Sequence, residues 1–266
     1  MIRFALLMLL STAVYAAQPA VDIETAAAVY QDAGIREQVR ASLGVMPAHV
    51  RQMFSADASA RLSDQQLNAV TAAAERGFRI DVFEAPALNA LAANLDAATV
   101  KRAEVFLHSD LGRRMVAADV ASANLDEPQI DKIMKGDIVA PSTPQRDALF
   151  GKLERASRST ESTVQIFISL GQAVAIGTAV GAGRDPASTA ESARKSGEAS
   201  KSGLEQGLRE PLRRYLAYSY RDMSDADLKH LLKFLDSPPG KGYVSAYIAS
   251  LGAPPAIAAP APSRNP

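Results

Sequence analysis

Leu228, Leu231, Leu232 and Leu235 recur at the i, i+3, i+4, i+7 spacing that lays one apolar stripe along a helix. Sustained alternation of apolar and polar positions, the mark of a half-buried strand, is missing along the chain, and β-branched residues are diluted by Ala, Leu and Glu. The pattern predicts an all-α fold, a helical bundle built from two related multi-helix units. Helices are expected near residues 24–42, 48–57, 64–94 with a break around Pro86, 97–107 and 110–121. Residues 123–146, with Pro128, Pro141 and Pro144, read as a connection with room for one short helix.

Local chemistry marks four helix starts. Asp96 and Ser224 stand where an N-cap oxygen accepts from the first free backbone amides, and Asp227 follows Ser224 at capping-box spacing. Leu95 and Met223 precede those caps and are placed to staple onto Val100 and Leu228. The same grammar recurs at Leu62-Ser63-Asp-Gln-Gln66-Leu67 and at Leu125-Asp126-Glu127-Pro128-Gln129-Ile130.

Residues 95–122 align without gaps on residues 223–250, with 10 identities in 28 positions, against about two from ordinary composition. Ala98, Lys101, Phe106, Leu107, Ser109, Gly112, Val116, Ala118, Ala121 and Ser122 recur as Ala226, Lys229, Phe234, Leu235, Ser237, Gly240, Val244, Ala246, Ala249 and Ser250. Ser42-Leu43-Gly44 matches Ser169-Leu170-Gly171 at nearly the same offset, which extends each unit to about one hundred residues. The expected organisation is helical repeat unit one over residues 22–122, the connection over 123–146, and unit two over 147–251. Within each repeat, Ser109 and Ser237 are expected to cap a second helix after a tight bend, with Phe106 and Phe234 as wedges. Gly112 and Gly240 are expected to let another helix approach closely.

Residues 162–183 carry no charge and are apolar on all faces, so this segment must be buried somewhere. A central helix of a soluble bundle is the expectation; insertion in a membrane is the competing reading of the same run. Residues 186–208, rich in Ser, Ala, Gly, Lys and Glu, read as a solvated helix or crossover. Residues 252–266 are too rich in Pro to fold and read as a disordered tail.

Composition narrows the functions. Lys and Arg total 29 against 29 Asp and Glu, which leaves no overall basic surplus for nucleic acid. The absence of Cys removes disulfides, thiolate nucleophiles, zinc-thiolate sites and a lipoprotein anchor. Arg3, the apolar run Phe4–Leu10 and Val14-Tyr15-Ala16 read as a signal peptide over residues 1–16, cleaved after Ala16, which points to the periplasm.

Catalytic constellations are absent from the sequence pattern. His49, His108 and His230 form no metal-binding pair, and His108 and His230 align with Asp236 and Arg102 rather than with each other. There is no nucleophile elbow, phosphate loop or dinucleotide fingerprint. Ser109 and Ser237 recur, but no base recurs with them, so capping explains them better than catalysis. The helix start behind each Ser, with Arg113, Arg114 and Lys241 nearby, is a candidate anion site. Glu24 and Asp32 lack the spacing of a carboxylate pair working across one bond, and Asp22, Glu24 and Asp96 read as helix-start charges. No catalytic, cofactor-binding or metal-ligating residue is assigned.

Residues Met223–Lys241, running through Phe234, Ser237, Pro238 and Gly240, resemble the bacterial domain of unknown function 2059 family, whose pattern is an acidic capped helix followed by Phe-x-x-Ser-Pro-x-Gly-Lys. Ala27-Ala-Val-Tyr30 with Gly34-Ile35 looks like the opening helix of that family. The resemblance implies an exported all-helical protein without an established reaction. This chain departs from it in carrying two copies, the first with Asp110-Leu111 in place of the prolines. The functional expectation is a non-enzymatic protein with an envelope partner or scaffold role, with no cofactor. The alternatives are membrane association through residues 162–183, a carrier of a small hydrophobic ligand between helices, and an enzyme whose groups meet only in three dimensions.

Overall fold

Polar caps separate a run of helices whose apolar faces turn toward one interior. The computed structural model describes residues 21–56, 64, 67–68, 71–72, 75, 79–181 and 185–253. Among them the helices are α1 (Ile23–Asp32), α2 (Ile35–Ala56), α3 (Ile80–Asn94), α4 (Ala97–Leu107), α5 (Asp110–Ala123) and α6 (Glu127–Lys135). They continue with α7 (Pro144–Ser157), α8 (Ser159–Gly181), α9 (Pro186–Ser219), α10 (Asp225–Asp236) and α11 (Pro238–Leu251). No strand occurs among the described residues, and the fold is all-α. The expected leader over residues 1–16, the helix start at Ser63 and the tail from residue 254 onward lie outside the described residues.

The caps read from the sequence are made. Asp96 Oδ1 accepts from Thr99 N at 2.8 Å, and Asp126 from Gln129 N at 2.8 Å. Ser224 and Asp227 close a reciprocal capping box. Leu95, Val100, Met223, Leu228, Leu231 and Leu235 are all buried.

Two local expectations are corrected and a third is narrowed. The first break falls at Gly34, not between residues 42 and 48: Gly34 takes φ +63°, and a Cβ there would come within 2.9 Å of Val116 and Val120 on α5. Nothing stops α2 afterwards, and it runs unbroken through position 47. Helix α3 likewise continues through Pro86, whose missing N–H removes one backbone bond without severing the helix. The helix that approaches the glycines of the two bends is the one just before each in the chain, which narrows the expectation rather than overturning it. A Cβ on Gly112 would lie 2.1 Å from the Phe106 carbonyl oxygen, and one on Gly240 would lie 2.0 Å from that of Phe234. It is the end of the preceding helix that closes in.

The two bends have the same local geometry. Ser109 Oγ accepts from Gly112 N at 3.0 Å and donates to the Phe106 carbonyl; Ser237 Oγ accepts from Gly240 N at 3.1 Å and donates to the Phe234 carbonyl. Phe106 and Phe234 stack on each other, centroids 4.0 Å apart and planes within 2°. Around the stack the pairing is reciprocal. Arg114 of α5 grips Asp227 of α10 at 2.8 and 3.0 Å, while Gly242 and Thr99, the aligned positions of that pair, meet between α11 and α4.

One buried cluster joins Ala26 and Val29 of α1, Leu91 of α3, Phe106 of α4, Phe150 of α7, Leu228 of α10 and Val244 of α11. Helix α11 covers both α3 and α4. The α9–α10 turn is held by Arg146, whose side chain is only 12% exposed: it pairs with Asp225 at 2.6 Å and donates to the carbonyls of Tyr220, Arg221 and Met223. Helix α6, in the connection, packs on α9, where Arg214 donates to the Met134 carbonyl at 2.9 Å.

Among the described residues α8 and α9 form the most extended helix pair, antiparallel and close, with Ile168 against Gly197. Val164, Ile168, Ser169, Gln172 and Ala179 of α8 are buried, yet Phe167 stands 47% exposed. No helix of the described residues is long and apolar enough to cross a membrane.

Candidate functional site

The residues weighed from the sequence are dispersed. His108 reaches Asp32 across the α4–α1 contact, Nε2 to Oδ2 at 2.7 Å, and His230 is exposed on α10. The side chain of His49 lies outside the described residues, and among those described no three His, Asp or Glu residues converge as metal ligands. Ser109 and Ser237 are committed to their caps. Of the three cations near those helix starts, Arg113 is held by Asp110 and the His108 carbonyl, and Arg114 by Asp227. Lys241 has no carboxylate partner among the described residues.

Two constellations emerge that local sequence gave no sign of. The first is a carboxyl among phenols. Asp119 on α5 is half-buried, accepts a hydrogen bond from Tyr220, and lies close enough to Tyr215, Tyr243 and Tyr247 for its charge to raise their pKa values. Burial pushes Asp119 up to about 7, with the Tyr220 hydrogen bond opposing. Burial lifts Tyr215 to about 12 and Tyr220, Tyr243 and Tyr247 well above the usual phenol range. Tyr30, whose charge also bears on Tyr247, is raised to about 12 by burial, and its hydroxyl is buried without a hydrogen-bond partner among the described residues. The arrangement can hold or release one proton inside the bundle.

The second is an open groove of about 490 Å³ between α7, α10 and α11. Lys152, Arg155 and Lys241 stand on its rim, and Leu232 and Val244 line its floor. Arg158 forms one wall, donating to Ser245 Oγ at 3.1 Å and gripping Glu161 at 2.6 and 2.7 Å. Asp236 is the one acid among its lining residues. The groove is cationic at the rim and apolar underneath, which suits an anion better than it suits chemistry on a bond.

Sequence reading singled out Lys241 as a cation near a helix start but assembled neither constellation, because their members are far apart in the chain. Lys152 and Lys241 come from helices separated by α8, α9 and α10, and Asp119 is separated from its four tyrosines by the connection, α7, α8 and most of α9. Set against protein families, curated proteins and solved structures, the chain matches none of them.

Proposed function

We propose that this chain is an exported, non-enzymatic helical protein that acts by contact, holding a partner in the bacterial envelope, and that its body is a fused pair of related units. The duplication is supported by the aligned residues, the matching Ser-capped bends and the face-to-face Phe106 and Phe234. Export is supported by the leader pattern of residues 1–16 and by the resemblance of Met223–Lys241 to an exported family.

The observation that carries the contact role is the α8–α9 pair. A helix uncharged from residue 162 onward leaves Phe167 half in water beside a long, largely exposed polar helix. A large apolar side chain in that setting is a docking anchor when a partner covers it. A photo-crosslinking residue at position 167 should yield discrete adducts with an envelope protein in living cells, and one at exposed Glu198 on the other helix should not. Absence of adducts from position 167 refutes the role. Flotation of the purified protein with liposomes separates it from the membrane-associating reading, which requires binding through the same helix.

A further inference from the structure

We propose that the groove between α7, α10 and α11 is a binding site for a single amphiphilic anion, a phosphate or carboxylate head on a short apolar body. The volume, about 490 Å³, is that of a small-molecule site. Its rim supplies Lys152, Arg155 and Lys241, none of which has a carboxylate partner among the described residues, while the floor supplies Leu232 and Val244. Arg36 with Glu84, Arg114 with Asp227, Arg146 with Asp225 and Arg213 with Glu210 are matched pairs elsewhere, and the described cations left without an acid outside the groove, such as Lys101 and Lys201, are spread over separate helices. Three unmatched cations gathered in one concavity of a molecule with zero formal net charge make a local positive field with an apolar bed beneath it.

Two electrostatic features of the groove work against the fold and are relieved by an anion, and a third, in the backbone, marks the residue that forms its wall. Lys152, Arg155 and Arg158 follow one another at i, i+3, i+6, a spacing at which like charges repel. Lys241 sits in the first turn of α11, where the helix dipole disfavours a cation. Its aligned counterpart Arg113 is neutralised by Asp110, but the position aligned with Asp110 is Pro238 in the second bend, so that acid is gone. Arg158 itself adopts φ +52°, the left-handed region, at the α7–α8 junction. The α1–α2 junction meets the same requirement with Gly34 at φ +63°. A long cationic side chain is thus kept at a backbone position that glycine fills without strain, and it is the one that shapes the groove wall. Asp236 and Glu161 offset part of the charge, and the surplus remains positive.

The groove is a concavity sized for one molecule, and its rim is charged rather than ringed by apolar side chains, so the ligand is a free monomer and not a bilayer surface. The test uses the full chain and dodecyl phosphate below its micellar concentration, followed by calorimetry and by amide resonances. One-to-one saturable binding is expected, with shifts centred on Val244 and Ser245 and weakening as salt is raised. Combined Lys152→Gln, Arg155→Gln and Lys241→Gln should lower affinity at least tenfold with an unchanged melting transition, while Lys101→Gln, an exposed cation on α4, should not. Inorganic phosphate should bind at least tenfold more weakly. Binding that survives the triple substitution, equal affinity for inorganic phosphate, or capture only by phosphatidylglycerol vesicles with no monomer binding would each overturn the proposal.

Discussion

Removing the ring of Phe234 uncovers the face of Phe106 that it stacks on at 4.0 Å. Phe234→Ala should cost about 3 kcal/mol, the lower end for a core phenylalanine because this ring is only part-buried. A double-mutant cycle with Phe106→Ala should return about 0.5–1.5 kcal/mol of coupling in urea unfolding; unchanged midpoints would show that the stack contributes nothing. Asp119 makes a prediction in pH. Its folded pKa lies above the unfolded value, so its contribution to stability is fully present below about pH 4 and is lost as pH rises through about 7. The loss is at most about 4 kcal/mol, and smaller to the extent that water reaches a half-buried carboxylate. Asp227 works in the opposite sense: Arg114 and Ser224 hold it well below the usual carboxylate range, so its contribution is present above about pH 4 and disappears in stronger acid. Melting temperature against pH should therefore peak on the acid side of neutrality. Asp119→Asn should flatten the decline between pH 4 and pH 7, and a wild-type decline retained in the variant would place its origin elsewhere. The caps on these same helices were legible because donor and acceptor are three residues apart, whereas nothing near Asp119 announces tyrosines about a hundred positions further on.

At the level of the element, the two bends are the most constrained pieces of backbone. A methyl group on Gly112 or Gly240 would press on a carbonyl of the preceding helix at about 2 Å, with no flexible side chain to give way. Gly112→Ala and Gly240→Ala should each cost about 3 kcal/mol or more. Gly203→Ala is the control: no atom lies within 4 Å of its added carbon, and it should stabilise α9 by about 0.4–1 kcal/mol. Comparable effects at all three sites, measured by thermal unfolding, would contradict this account. Helix type and most starts were readable from caps and stripes. The break at Gly34 was not, because its cause is the approach of Val116 and Val120 from α5, and the continuity of α3 through Pro86 was hidden by a rule that ignores packing. Arg158 carries no local signal for a left-handed residue, so the groove wall was invisible as well.

For the molecule as a whole, the shared cluster decides how it unfolds. Residues from both sides of the connection contribute to one interior, and α11 covers α3 and α4. Separate polypeptides of residues 22–122 and 147–251 should each lack a cooperative thermal transition, while the intact chain melts in one step. Two independent transitions in the intact protein would mean that the interior is divided after all. The sequence alignment could pair residues 95–122 with 223–250 but not place both segments in one core, since that depends on which helix lies over which.

The seat of α11 also bears on how the protein is made. A nascent polypeptide leaves the ribosome with its amino end first, and here the helix that covers α3 and α4 follows them only after six others. Until its codons are translated, the flank of α3 and α4 has nothing to lie against. A polypeptide stopped before Pro238 should therefore keep that flank bare and bind a hydrophobic dye that the intact chain excludes.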